Sequence, residues 1–169
     1  DRLNREFCAQ PTERHRFATA VYGLINTRTH EVVLAGAGHP PPLIISRDAV
    51  EKVETDGPLL GVFAEALYNE VRFTLQPDQT LLLYTDGFEV AFPKHGAQGN
   101  ALRTPTHGHL DCFASLLPYD NHASLREAMF HLGSILDLQT GSLHQNDDVT
   151  ALALRRTRAA NASDTKAAA

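Results

Sequence analysis

Leu81-Leu82-Leu83-Tyr84 is an unbroken apolar run that stops at Thr85-Asp86-Gly87. Neighbouring side chains of a strand point to opposite faces, so consecutive hydrophobes read as a strand covered on both sides. Asp86 falls where the run ends. A carboxylate is costly to bury unless it is paired or bound to a cation, and Gly87 lets the chain turn at once. The charge is therefore expected at the mouth of a sheet. A second segment has the reverse order, with Gln145-Asn146-Asp147-Asp148 leading into Val149-Thr150-Ala151-Leu152. If the two strands are neighbours, Asp86 and Asp147 converge. Like charges about 4 Å apart repel by roughly 4 kcal/mol at an effective dielectric near 20, so the pair needs a counter-ion. Oxygen donors with room for water suit Mg²⁺ or Mn²⁺. The residues point to a divalent-metal hydrolase.

Around this run the chain reads as a meander of antiparallel strands with helices at both ends. Phe17 to Asn26 carries hydrophobes on both alternating sets, which predicts a central strand with a sheet on one side and helices on the other. Asn26-Thr27-Arg28-Thr29-His30 is a polar hairpin loop, and Glu31 to Ala37 returns as a strand. Pro40-Pro41-Pro42 stops pairing for want of backbone N–H groups. Leu43 to Ser46 and Val50 to Val53 form a hairpin around Arg47-Asp48. Asn69 to Leu75 alternates, with Val71, Phe73 and Leu75 inward, and Pro77-Asp78 turns into Thr80 to Thr85.

Phe88 to Phe92 is expected as a helical turn, Pro93 to Thr106 as a surface loop, and His109 to Leu117 as a short helix before Pro118. Leu125 to Leu138 is the strongest helix. Its Leu125, Met129, Leu132, Ile135 and Leu136 recur at helical spacing behind a Ser124-Leu125-Arg126-Glu127 capping pattern, and Gly141 marks its exit. From Thr157 the tail has nothing to bury. Such alternation of strands excludes a Rossmann-type order.

A length of 169 residues, 43% of them hydrophobic, suits one domain with a core. The formal net charge of -5 gives no basic surface for nucleic acid. No apolar stretch approaches a membrane span, and no signal peptide is visible. Cys8 and Cys112 read as two free thiols of a reducing cytoplasm, with a disulfide as the alternative. His95, His107, His109 and His144 have no cysteine pair beside them, which argues against zinc.

The residues that suggest a metal also carry a family resemblance. Leu82-Leu83-Tyr84-Thr85-Asp86-Gly87-Phe88-Glu89 and Asn146-Asp147-Asp148-Val149-Thr150 resemble the last two metal-binding motifs of the SpoIIE-type branch of the metal-dependent protein phosphatases, the PPM superfamily. Ala35-Gly36-Ala37-Gly38-His39-Pro40-Pro41-Pro42-Leu43 resembles that branch's AGHPPP strand-turn. Gly57-Pro58-Leu59-Leu60-Gly61 resembles its GxPLG turn, and Phe17 to Gly23 fits its opening. The resemblance runs from about Leu3 to Arg155. The family's first metal motif, a GD followed by GHG, has no counterpart, and Asp1 to Phe7 reads as the tail of an amphipathic helix.

The resemblance implies an α+β fold: a four-layer αββα antiparallel β-sandwich flanked by helices, incomplete at its N-terminus. Residues 1–156 would be the C-terminal portion of the phosphatase domain and 157–169 a disordered tail. It implies metal-dependent hydrolysis of phosphoserine or phosphothreonine in a bacterial signalling pathway. Asp86 and Asp147 would be catalytic ligands of Mn²⁺ or Mg²⁺, with two ions in the intact domain. Asp148 would hydrogen-bond backbone or orient a metal-bound water, and Gly87 would shape the turn.

Glu89 matches a common acidic position, against the alternative of a solvated carboxylate at a helix start. His39 could reach a phosphate, against the alternative of pinning its turn. The implied partners are a phosphorylated anti-anti-sigma (STAS) protein and an upstream sensor or receiver domain, in the cytoplasm. A homodimer is compatible with the edge where a further strand would pair. Two rival readings are a catalytically incomplete scaffold that binds a regulatory phosphoprotein, and a small sensor domain with an apolar pocket.

Overall fold

In the computed structural model, which describes residues 1–9, 17–92, 94–95, 101–102, 108–118, 124–139 and 148–158, the apolar run lies at the centre of the molecule. It forms β6 (Thr80–Tyr84) between β3 (Leu43–Ile45) and β9 (Ala151–Arg155), with β4 (Val50–Lys52) beyond β3, in the antiparallel order β4-β3-β6-β9. A second antiparallel sheet has β2 (Glu31–Ala37) between β1 (Ala20–Ile25) and β5 (Val71–Thr74).

The pleat of β6 sorts its side chains between two cores. Leu82 and Tyr84 face a layer of helices: α2 (Gly87–Ala91), α3 (Gly108–Leu116) and α4 (Leu125–Gln139). Leu81 and Leu83 face the other way, onto Val32, Leu34, Val71 and Phe73 of the second sheet. β3 is sorted likewise, with Leu43 and Ile45 toward the helices and Ile44 toward the sheet. The result is the α+β sandwich that the apolar run demands.

α4 packs on the core through Leu125, Ala128, Met129, Leu132, Ile135 and Leu136. The Ser124 hydroxyl accepts the Glu127 N–H at 3.2 Å, which forms the serine half of the capping pattern. At the other end of the chain, α1 (Arg2–Cys8) is anchored by buried Asn4. Its amide donates to the Phe63 carbonyl at 2.8 Å, and its oxygen accepts the Gly61 N–H at 2.9 Å. Cys8 and Cys112 are both free thiols. Beyond β9, Arg156 exchanges backbone hydrogen bonds with Asp78 and Gln79, and Arg158 pairs with Asp78 at 2.5 Å. Residues 159–169, with most of the expected tail, lie outside the described residues, as does Gly141.

Two expectations need correction. Phe17 to Asn26 is not a central strand among the described residues. β1 starts at Ala20 and pairs only with β2, with Tyr22 66% and Leu24 58% exposed. Apolar residues on both faces show that both could be covered, and Val21 is packed inward, but no described element covers the other face. Pro93 to Thr106 is not wholly loop, because β7 (Lys94–His95) pairs with β8 (Ala101–Leu102); the rest of it lies outside the described residues. The helix expected from His109 is present. His109 belongs to α3, is 1% exposed, and lies 5.4 Å from the Tyr84 ring and 5.8 Å from the Phe113 ring. Its role is in the core.

Candidate active site

β6 and β9 run antiparallel in register from Thr80↔Arg155 to Tyr84↔Ala151, so the end of one meets the start of the other. The Thr85 N–H extends the ladder by one bond, to the Thr150 carbonyl at 3.0 Å. The side chain of Thr85 then takes over. Its hydroxyl accepts the Thr150 N–H at 2.9 Å and donates to the Asp148 carbonyl at 3.1 Å.

Asp86 follows as the residue before α2, with φ -60° and ψ -19°. An N-cap is usually extended, with its side chain bonded to an N–H of the first turn. Asp86 is already helical in backbone, makes no such side-chain bond and is exposed. Its carboxylate stands in solvent at the rim. Gly87 is buried, and a Cβ there would lie 2.4 Å from the Asp148 carbonyl oxygen and 3.0 Å from its carbon. Turn geometry was the expected reason for this glycine. Close approach of the Asp148 backbone is the reason the structure gives.

The β6–β9 pairing and the Thr85 and Gly87 contacts thus bring the Asp86 turn against Asp148, whose side chain is exposed. Asp147, one residue earlier, lies outside the described residues. Glu89 is half-buried on α2, near Tyr84. Burial pushes the Tyr84 hydroxyl above its ordinary pKa, and the Glu89 carboxylate adds to the shift. Beneath the rim, Phe113 lies 5.4 Å from the Tyr84 ring and 5.0 Å from the Phe88 ring in edge-to-face contacts, which fix α2 on the sheet.

His39 sits in the link from β2 to β3. Gly38, at φ +60°, donates its N–H to the Gly57 carbonyl at 2.8 Å. His39 Nδ1 lies 3.0 Å from the Pro40 carbonyl, which can only accept, so Nδ1 carries the hydrogen. This bond supports the turn-pinning alternative. Because Leu43 pairs with Leu82, the turn and Asp86 leave the same end of the sheet.

Sequence reasoning overlooked Thr85, although it lies between the apolar run and the aspartate. A hydroxyl at a strand end carries no distinctive pattern, and its two partners are defined only once β9 is in register.

Asp86 and Asp148 offer hard oxygen donors open to water, which fits a divalent cation of the Mg²⁺ or Mn²⁺ kind. Among the described residues no three His, Cys, Asp or Glu side chains come together as a metal cluster. Among them, too, no helix is long and apolar enough to cross a membrane.

Solved structures share this architecture. The SiaA-PP2C domain of Pseudomonas aeruginosa is 21% identical with a TM-score of 0.60, over 81% of this chain and 51% of that one. The RsbU and RsbW domains of a Mycobacterium tuberculosis protein are 27% identical with a TM-score of 0.62, over 91% of this chain and 40% of that one. The phosphatase domain of SpoIIE from Bacillus subtilis, presoaked with manganese, is 19% identical with a TM-score of 0.59, over 85% of this chain and 58% of that one. The chain thus spans between 40% and 58% of the length of these structures. The fold is that of these PP2C and SpoIIE phosphatase domains.

The family model described as Stage II sporulation protein E matches residues 1–157, and the chain belongs to that SpoIIE family. No curated protein matches it in sequence.

Proposed function

We propose that this chain carries part of the catalytic centre of a metal-dependent phosphoserine/phosphothreonine phosphatase. It would act in the cytoplasm on a phosphorylated STAS-type signalling protein, within a partner-switching pathway and under control of a sensor or receiver domain. Asp86 and Asp147 hold Mn²⁺ or Mg²⁺, and Asp148 orients the hydration around the ion. When bound, a divalent cation supplies a nucleophilic water at neutral pH and screens the phosphoryl oxygens. The chain's own residues do the rest. Asp86 projects its carboxylate from the rim, and β6 and β9 set its position relative to Asp148. Glu89 adds negative charge on the same short helix, and His39 fixes the neighbouring turn.

The observation that carries the reading is the contact between the two acidic segments, with Gly87 against the Asp148 carbonyl and Thr85 bonded to it. The test is Mn²⁺-dependent hydrolysis of p-nitrophenyl phosphate, followed by phosphate release from a phosphoserine STAS protein. Asp86→Asn and Asp147→Asn are each expected to reduce kcat by more than about 100-fold. If neither hydrolysis nor Mn²⁺ binding is detected while the phosphorylated STAS protein still binds, the chain is a scaffold and the catalytic reading falls.

A further inference from the structure

We propose that Thr85 is a positioning residue for the cation site, its hydroxyl setting the spacing of the two acidic segments and hence the affinity for the divalent ion. The proposal rests on the phosphatase reading above. A threonine hydroxyl has one hydrogen to give and lone pairs to receive. Thr85 uses both on one segment, receiving from the Thr150 N–H at 2.9 Å and donating to the Asp148 carbonyl at 3.1 Å.

Both partners are backbone atoms, so this grip does not use the Asp148 carboxylate. The regular β6–β9 register ends at Tyr84↔Ala151, and the Thr85 N–H adds the next bond, to the Thr150 carbonyl. Past that point the Thr85 hydroxyl bonds the Asp148 carbonyl and so ties that residue to the end of β6.

Gly87 acts on the same carbonyl by contact. With a Cβ at 2.4 Å excluded, the Asp148 backbone can lie directly on the start of α2. The residues on either side of Asp86 therefore both grip Asp148, one by hydrogen bonds and one by close approach. Metal ligands must be held to about 0.5 Å for productive geometry. Carboxylates that repel one another will not hold that spacing unaided. A clasp on the backbone supplies the restraint before the ion arrives.

A purely structural Thr85 would affect stability and leave ion affinity alone, so the two are measured separately. Mn²⁺ affinity is read by calorimetry on the full chain, and thermal unfolding is read without metal. Thr85→Val keeps the shape and removes the hydroxyl. It is expected to weaken Mn²⁺ binding by about tenfold or more and to speed amide exchange at Thr150. Thr85→Ser, which keeps the hydroxyl, is expected to return affinity to within about threefold of the unaltered chain.

Unchanged Mn²⁺ affinity in Thr85→Val would overturn the proposal. So would equal losses in the valine and serine variants. Should the valine variant not fold, Thr85→Ala against Thr85→Ser carries the same comparison. Asp86→Asn separates the two readings. If the unaltered chain binds Mn²⁺ and Asp86→Asn does not, the metal site stands whatever Thr85 does. If the unaltered chain binds none, both proposals fall together.

Discussion

The two sheets of this sandwich begin from similar material and end in different surroundings. The β4-β3-β6-β9 sheet is packed on one face by helices and on the other by its partner sheet. The β1-β2-β5 sheet is packed on its inner face through Val32 and Leu34, and leaves Tyr22 and Leu24 of β1 exposed. The candidate site lies on the rim of the first. A site needs side chains fixed by their neighbours, and a strand held between two close-packed layers cannot shift its register without disturbing both. The second sheet provides backing and is less constrained.

The contrast is most easily broken in the aromatic core beneath the rim. Phe113 is fully buried against the Tyr84 and Phe88 rings. Phe113→Ala is expected to cost about 3–5 kcal/mol of unfolding free energy, measured by urea denaturation. A loss under about 1 kcal/mol would mean that the helical layer does not clamp the site sheet.

Glycines give a second, smaller contrast. Gly87→Ala drives a Cβ into a backbone carbonyl, whereas Gly23→Ala on β1 would meet the Leu34 Cδ2 atom at 2.7 Å, the end of a side chain that can turn away. The first is expected to destabilise by about 1–3 kcal/mol and to lower metal-dependent hydrolysis. The second is expected to stay within about 1 kcal/mol with hydrolysis intact. Equal effects at both positions would remove the distinction between the sheets.

The smallest effect belongs to the exposed face. Leu24→Ser should change stability by no more than about 0.5 kcal/mol. A drop of several kcal/mol on denaturation would show that the outer face of β1 is covered in solution.

Much of the fold could be read from alternation. Glu31 to Ala37 and the Thr80 to Thr85 run were recognisable because each strand's own residues state which faces are apolar. Ser124 and Glu127 marked the start of α4 because capping is settled within one turn. β1 was misplaced because two apolar faces do not name the neighbours that cover them. β7 and β8 are too short to leave a pattern. His109 was expected at a helix start, and only the packing of α3 on β6 shows it among aromatic rings.

The site was legible in the same uneven way. Asp86 stood out as a charge at the end of an apolar run, and the structure has it exposed beside α2. Asp148 was assigned a supporting part, and its carbonyl is where Thr85 and Gly87 converge. Thr85 itself could not be singled out, because a hydroxyl has no direction until its partners are in place.

By itself, the sequence determined the longer strands and helices, which strand must be sandwiched, and where its negative charge must emerge. Those properties follow from side-chain period, hydrophobicity and capping, all of them local along the chain. The tertiary structure alone decided that β6 lies beside β9, that β1 lies at an edge among the described strands, and that the Asp148 carbonyl rests on Gly87. Pairing and register join residues more than sixty positions apart, as Thr85 is from Asp148. They are fixed by the packing of whole layers, which no local stretch of sequence contains.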